Sequence, residues 1–158
     1  MGEVISIRTA ESGDLDRVTG LLCECNLPTE GVEENLGKGY VIAEHGVELV
    51  GVCGIEVLKP FGLLRSFAVS RSWRGMSAGR ALMDDRIAWA RDEGIKALYL
   101  LTMGTGHYFE QFGFKYIQRN RVPPEIKGSL EFSSLCPETA VVMVKSLGDL
   151  GREESQKS

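Results

Sequence analysis

The apolar positions of this chain recur at two periods, and the switches between them mark out its elements. Between Glu3 and Arg8, Val4, Ile5 and Ile7 interleave with polar residues, which predicts a first strand. Leu15, Val18, Leu22 and Cys25 then fall at helical spacing. Ser12 is a candidate N-cap there, and Asp14 sits in the first turn, where a carboxylate suits the helix dipole. Pro28 closes that region, and Val32–Leu36 suffices for one helical turn. Tyr40–Ala43 and Leu49–Leu58 read as strands joined by a hairpin at Glu44–Glu48 around Gly46. A turn at Phe61-Gly62 leads into a central strand, Leu63–Ser70.

The helix predicted over Ser77–Asp92 carries two apolar stripes, Ala78/Leu82/Trp89 and Met83/Ile87/Ala90, so it is covered on more than one side. Gly94 ends it, and Ile95–Thr102 is the dense apolar run of a strand buried on both faces. A short helix over Gly106–Phe112, a strand from Phe114 to Ile117, a break at Pro123-Pro124 and a last strand, Thr139–Val144, complete the body. The pattern is α+β: an antiparallel front half, then two βα crossovers. No internal repeat interrupts it.

Composition narrows the class. The 158 residues suit one domain with a sizeable core, residues 1–147, followed by a polar tail, 148–158, expected to be disordered. A net charge of −4 gives no support for nucleic-acid binding. Nothing approaches a membrane-spanning run, and the start is no signal peptide, so no membrane partner and a cytoplasmic location are expected. Cys23, Cys25, Cys53 and Cys136 lack the spacing of a disulfide framework or a metal site. Cys23 and Cys25, two apart on a helix, do not share a face.

The chemistry concentrates in Leu63–Leu82, a strand, a glycine-bearing turn and a helix start. The turn is Arg74-Gly75-Met76-Ser77-Ala78-Gly79, with Arg80 following. Unpaired N–H groups at a helix start, with the positive end of its dipole, suit a diphosphate, and small residues let the backbone approach it. No Lys follows Gly79, which excludes the Walker loop, and the glycine spacing is not that of a dinucleotide-binding turn. A plain structural turn is the alternative.

The segment resembles the [Q/R]-x-x-G-x-[G/A] motif of the GNAT acetyltransferases. Here it reads Arg74-x-x-Ser77-x-Gly79, with Ser in place of the central Gly. Tyr108-Phe109-Glu110-Gln111-Phe112-Gly113-Phe114 is similar to that family's F-Y-x-x-x-G-F. The resemblance covers Ile5 to Leu147 and implies the GNAT acyl-CoA N-acyltransferase fold, a mixed sheet splayed between strands 4 and 5 with flanking helices.

It also implies acetyl-CoA as cosubstrate and no metal. The backbone of Phe67, Ala68 and Val69 would then pair with the pantetheine arm, and the N–H groups from Gly75 through Met76, Ser77, Ala78 and Gly79 to Arg80 would hold the pyrophosphate. An N–H near Phe67 would face the oxyanion. A thiol with a pKa of about 8.5 leaves without much help from an acid. Where many relatives place a Tyr acid, this chain has Phe109, with Tyr108 one residue earlier. Tyr108 is the candidate acid, or an aromatic of the helix face. His107 is a candidate cofactor contact, or a polar residue at a helix start; His45, in the hairpin turn, is expected to be solvated. Glu56 is the candidate base, since its apolar neighbours Val52, Cys53, Ile55, Val57 and Leu58 could raise its pKa. The alternative is a solvent-facing carboxylate. Arg65, at the start of the central strand, and Ser66 beside it are candidate substrate-binding residues, Arg65 through a bidentate grip on a carboxylate; the alternative for Arg65 is a surface ion pair.

Two stretches, Gly54–Glu56 with Gly62–Val69, and Val122–Ile126, Glu131-Phe132, Leu135–Pro137, Ala140 and Met143–Leu147, are similar to the arsenic-resistance-associated N-acetyltransferases. That branch implies an amino-acid or glutamate-like acceptor of the phosphinothricin or arsinothricin type, with Arg65, Arg71 or Arg74 as its cationic partner. The fold also makes a homodimer a possible assembly. Two other readings stand beside this one: a non-catalytic acyl-CoA sensor, and an arsenical-binding protein using Cys23, Cys53 and Cys136.

Overall fold

The alternating segments become strands β1 (Ser6–Thr9), β2 (Tyr40–His45), β3 (Glu48–Leu58), β4 (Phe61–Val69), β5 (Ala97–Thr102), β6 (Lys115–Ile117) and β7 (Val141–Ser146). The helices are α1 (Leu15–Glu24), α2 (Val32–Asn35), α3 (Ala78–Asp92), α4 (Gly106–Glu110) and α5 (Pro124–Lys127). This computed structural model describes residues 4–75, 77–104, 106–129 and 140–148. The strands form a mixed sheet in the order β1-β2-β3-β4-β5-β7-β6, the α+β arrangement that the pattern predicts.

The chain divides into two compact units, Met1–Glu56 with Leu64–Arg86, and Val57–Leu63 with Ile87–Ser158. In the first, β1, β2 and β3 pair antiparallel in sequence order. Its core packs Val18 and Leu22 of α1 against Tyr40, Ile42, Val52 and Ala68. Asp14, at the head of α1, accepts from Arg8 at 2.9 and 3.0 Å and from Arg17 at 2.8 Å, and Glu44 accepts from both arginines. The Arg8 guanidinium, above all, holds the Asp14 carboxyl well below the usual range. In the second unit β7 pairs antiparallel with both β5 and β6, and β4 enters in parallel to β5 at Gly62↔Leu98 and Leu63↔Tyr99. Leu63, Tyr99, Val122, Ile126 and Val142 form its core.

Several expected boundaries move. The turn before the central strand lies at Lys59-Pro60, not Phe61-Gly62, so Arg65 falls in mid-strand. The hairpin turn is Gly46-Val47, with Gly46 at φ 61° and His45 paired to Glu48. His45 therefore ends β2 half-buried, its Nδ1 3.0 Å from the Val4 carbonyl and its ring 5.0 Å from that of Trp73, instead of standing in solvent. Ser12 caps nothing; it opens a 3-10 turn, and the Asp14 carboxylate accepts the Glu11 N–H at 2.8 Å. Pro124 opens α5 rather than breaking the chain, because its missing N–H has no partner to lose in a first turn. Glu3, Met76, Glu131, Phe132, Leu135, Cys136, Pro137, Thr139 and the tail from Asp149 lie outside the described residues.

Candidate active site

The central strand is bent out of regular geometry by one residue. Ser66 has φ 59°, the left-handed region that a non-glycine enters at a cost. Such a residue re-aims the backbone that follows, here Phe67, Ala68 and Val69, of which Ala68 is buried and its neighbours half-buried. Ser66 is itself buried, and its Oγ lies 2.7 Å from the Tyr40 hydroxyl.

Beyond β4 the chain enters the glycine-bearing turn. Gly75 has φ 80° and Ser77 has φ 65°, so the residue at the motif's central glycine position does adopt a conformation that glycine favours. Ser77 O accepts the Ala81 N–H at 3.0 Å, and α3 starts at Ala78. The first-turn N–H groups of a helix have no carbonyl within it. This donor set, exposed at Gly75 and Ser77, fits a phosphate; Met76 lies outside the described residues. Gly79 is half-buried and Arg80 exposed. Arg74 folds back: its Nε donates to the Val69 carbonyl at 3.1 Å, and its Nη2 is 3.5 Å from Cys25 Sγ.

Glu56 and Arg65 come together. Glu56 Oε1 accepts from Arg65 Nη1 at 3.4 Å, and Arg65 Nη2 donates to the Glu30 carbonyl. The Arg65 side chain is only 1% exposed, so the ion pair is buried on the arginine's side and is no surface pair. Glu56 is half-buried and engaged, neither fully solvent-facing nor alone among apolar residues.

In the second unit, α4 carries His107, Tyr108 and Phe109. The His107 side chain is almost wholly exposed, with Nδ1 3.2 Å from Glu110 Oε1. Tyr108 is exposed and packs edge-on against Phe109 and Phe112, while Phe109 is buried and meets Phe114. Burial pushes the Cys53 thiol up to about 12, which favours its protonated form. Among the described residues no three His, Cys, Asp or Glu side chains gather as a metal site. No described helix is long and apolar enough to cross a membrane.

Two participants, Tyr40 and Arg86, are not singled out by the sequence; Arg86 is 5% exposed, with Nη1 donating to the Gly39 carbonyl at 2.8 Å. For Ser66, a candidate substrate contact, the sequence does not show the left-handed conformation or the Tyr40 partner. The one available signal is Gly54, opposite Tyr40 in the β2–β3 register, where a side chain would strike that ring.

The sheet order, with its β4–α3–β5 crossover and the left-handed turn that opens α3, defines the class: an acyl-CoA N-acyltransferase fold. Residues 11–114 match the acetyltransferase (GNAT) family, and the chain belongs to that family, whose chemistry is acetyl-CoA-dependent N-acetyl transfer. An uncharacterized N-acetyltransferase of Chlorobaculum tepidum is 25% identical over 130 residues, 78% of this chain and 81% of that protein. An amino-acid acetyltransferase of Neisseria meningitidis is 27% identical over 129 residues, 75% of this chain and 29% of that protein. The N-acetylglutamate synthase of Neisseria gonorrhoeae, solved with coenzyme A and N-acetyl-glutamate, superposes with a TM-score of 0.78 at 24% identity, covering 93% of this chain and 36% of that one. A Mycobacterium tuberculosis protein solved with CoA superposes with a TM-score of 0.76 at 23% identity, covering 90% and 99%. The chain spans about a third of the length of the amino-acid acetyltransferase and N-acetylglutamate synthase chains it matches.

Proposed function

We propose that the protein moves the acetyl group of acetyl-CoA to the α-amine of an amino acid or a glutamate-like antimetabolite of the phosphinothricin or arsinothricin type. The observation that carries the transfer is the pairing of two left-handed residues at Gly75 and Ser77 with a third at Ser66, on the strand that feeds their turn. The first two leave α3 N–H groups for the pyrophosphate; the third turns the β4 backbone at Phe67 toward the thioester. The amino-acid acceptor is supported by the similarity to the amino-acid acetyltransferase and the N-acetylglutamate synthases. The glutamate-analogue acceptor is supported by the resemblance of Gly62–Val69 and Val122–Ile126.

In this reading the neutral amine attacks the thioester carbonyl. A C–N bond forms, the C–S bond breaks, CoA leaves as thiolate and the amine proton passes to Glu56 or to water. The Phe67 N–H faces the oxyanion. Tyr108 carries the hydroxyl nearest in sequence to the thiolate's expected acid, while Phe109 supplies apolar packing and His107 stays at the solvent edge. An acceptor with an anionic end group requires a cation. Arg71 and Arg74 are the exposed guanidiniums beside the end of β4, whereas Arg65 is committed to Glu56 and Glu30. Arg65 therefore acts on Glu56 and the Glu30–Gly31 turn, and Ser66 acts on the backbone.

The test is thiol release from acetyl-CoA against phosphinothricin, glutamate, aspartate, other amino acids, a polyamine and an aminoglycoside. Selective turnover of phosphinothricin or another acidic amino acid is expected. Turnover of the polyamine or aminoglycoside alone would discard the amino-acid acceptor. Binding of CoA with no turnover on any amine would replace the enzyme by an acyl-CoA-binding module, a role that the buried Phe109 at the usual acid position favours.

A further inference from the structure

We propose that Tyr40 is a positioning residue for acyl transfer: its hydroxyl holds Ser66 in the left-handed conformation that sets the course of the β4 backbone at Phe67. This rests on the proposed transfer along β4. A left-handed serine within a strand persists only where its surroundings over-determine it. Ser66 has no Cβ-free backbone to make φ 59° easy, so a partner must select that state. The partner is the Tyr40 hydroxyl, 2.7 Å from Ser66 Oγ, and both groups are buried.

Tyr40 is itself fixed. Its ring covers Gly54 so closely that a Cβ there would lie 2.2 Å from the ring. Just before it, a Cβ on Gly39 would lie 2.0 Å from the Ile55 carbonyl, so two backbones abut. The Gly39 carbonyl in turn accepts from Arg86 Nη1 at 2.8 Å and from the Ile55 N–H at 3.1 Å. A ring held on one side by a glycine and at its base by a buried guanidinium delivers its hydroxyl to one place. Satisfying a buried phenol would need any acceptor at all; this hydroxyl meets the one residue of β4 with a positive φ.

The test compares Tyr40→Phe, Ser66→Ala and the double variant Tyr40→Phe/Ser66→Gly. Tyr40→Phe keeps the ring on Gly54 and removes the hydroxyl. Its kcat for acetyl transfer is expected to fall about tenfold, the rate equivalent of one hydrogen bond, with KM for acetyl-CoA within about twofold of wild type. Ser66→Ala is expected to show the same split, which keeps the test alive if Tyr40→Phe folds poorly. The double variant is expected to recover most of the rate, because glycine takes a positive φ without help. Unchanged kcat in folded Tyr40→Phe, or a loss that Ser66→Gly does not repair, would overturn the proposal. The HN–Hα coupling of residue 66, read by NMR in wild type and Tyr40→Phe, reports the backbone directly. If the wild type turns over no amine, the acetyl-transfer reading fails while this coupling still decides the Tyr40 role: a change in Tyr40→Phe supports it and identity overturns it.

Discussion

The two compact units solve different problems with different residues. The first holds all three described non-glycine residues with positive φ, Asn26, Ser66 and Ser77, and the buried charges Asp14, Arg65 and Arg86. Among the described residues of the second, the buried polar ones are the neutral Thr102 and Ser129, and the core is aliphatic and aromatic around a regular β5–β7 ladder. Strain and buried charge each lower stability unless the surroundings repay them, so their concentration in one unit marks where the fold has been shaped for something besides packing. The second unit buries an apolar cluster in which missing volume is expected to be costly.

That contrast is sharpest when a large core side chain is removed from the second unit. Met143 on β7 is fully buried, opposite Leu100 on one side and Tyr116 on the other. Met143→Ala is expected to lower the unfolding free energy by about 2–5 kcal/mol, transfer loss plus cavity. Urea denaturation checks this, and a loss under about 1 kcal/mol would mean that the β5–β7–β6 layer collapses around the gap and is not close-packed.

The units also differ in how far the sequence revealed them. β5 and the β2–β3 hairpin were visible because dense apolar runs and a glycine turn carry their signal locally. The turn into α3 was visible because its small residues fall at a fixed spacing, and Ser77 shows why glycine is the usual residue there. The conformation of Ser66 was invisible: a serine flanked by Arg65 and Phe67 reads as plain strand, and its Tyr40 partner lies 26 positions away. The burial of Arg65 and Arg86 was invisible too, because burial of a guanidinium depends on a distant carbonyl, Glu30 for one and Gly39 for the other. Such pairings are set by tertiary packing, which no local period encodes.

The charge network of the first unit yields a smaller effect with a defined pH window. Asp14 and Glu44 are both held below the usual carboxyl range, chiefly by hydrogen bonds from Arg8. A depressed folded pKa contributes stability above the unfolded value, about 4, and that contribution drains away as pH falls below it. Stability is therefore expected to drop below about pH 4, while Arg8 and Arg17 keep their charge. Asp14→Asn is expected to cost about 1–2 kcal/mol at pH 7, its buried hydrogen bonds discounted for two partly exposed arginines, and progressively less in acid. Thermal melts of both proteins from pH 7 to pH 2 check this; a gap of constant size would show that the network is not what Asp14 contributes.

The smallest effect runs in the opposite direction and falls on the strained residues. Ser77 occupies a left-handed conformation whose cost for an L side chain is about 1–2 kcal/mol. Glycine removes that cost but loses about 0.5–1 kcal/mol to the freedom of its unfolded chain. The first term wins, so Ser77→Gly is expected to stabilise the protein by about 0.5–1 kcal/mol, whereas Ser77→Ala keeps the strain and brings no gain. Equilibrium unfolding of both variants decides it. If Ser77→Gly is no more stable than wild type, the serine side chain is itself holding the turn that opens α3, and the strain of the first unit is balanced locally there rather than by partners such as the one at Ser66.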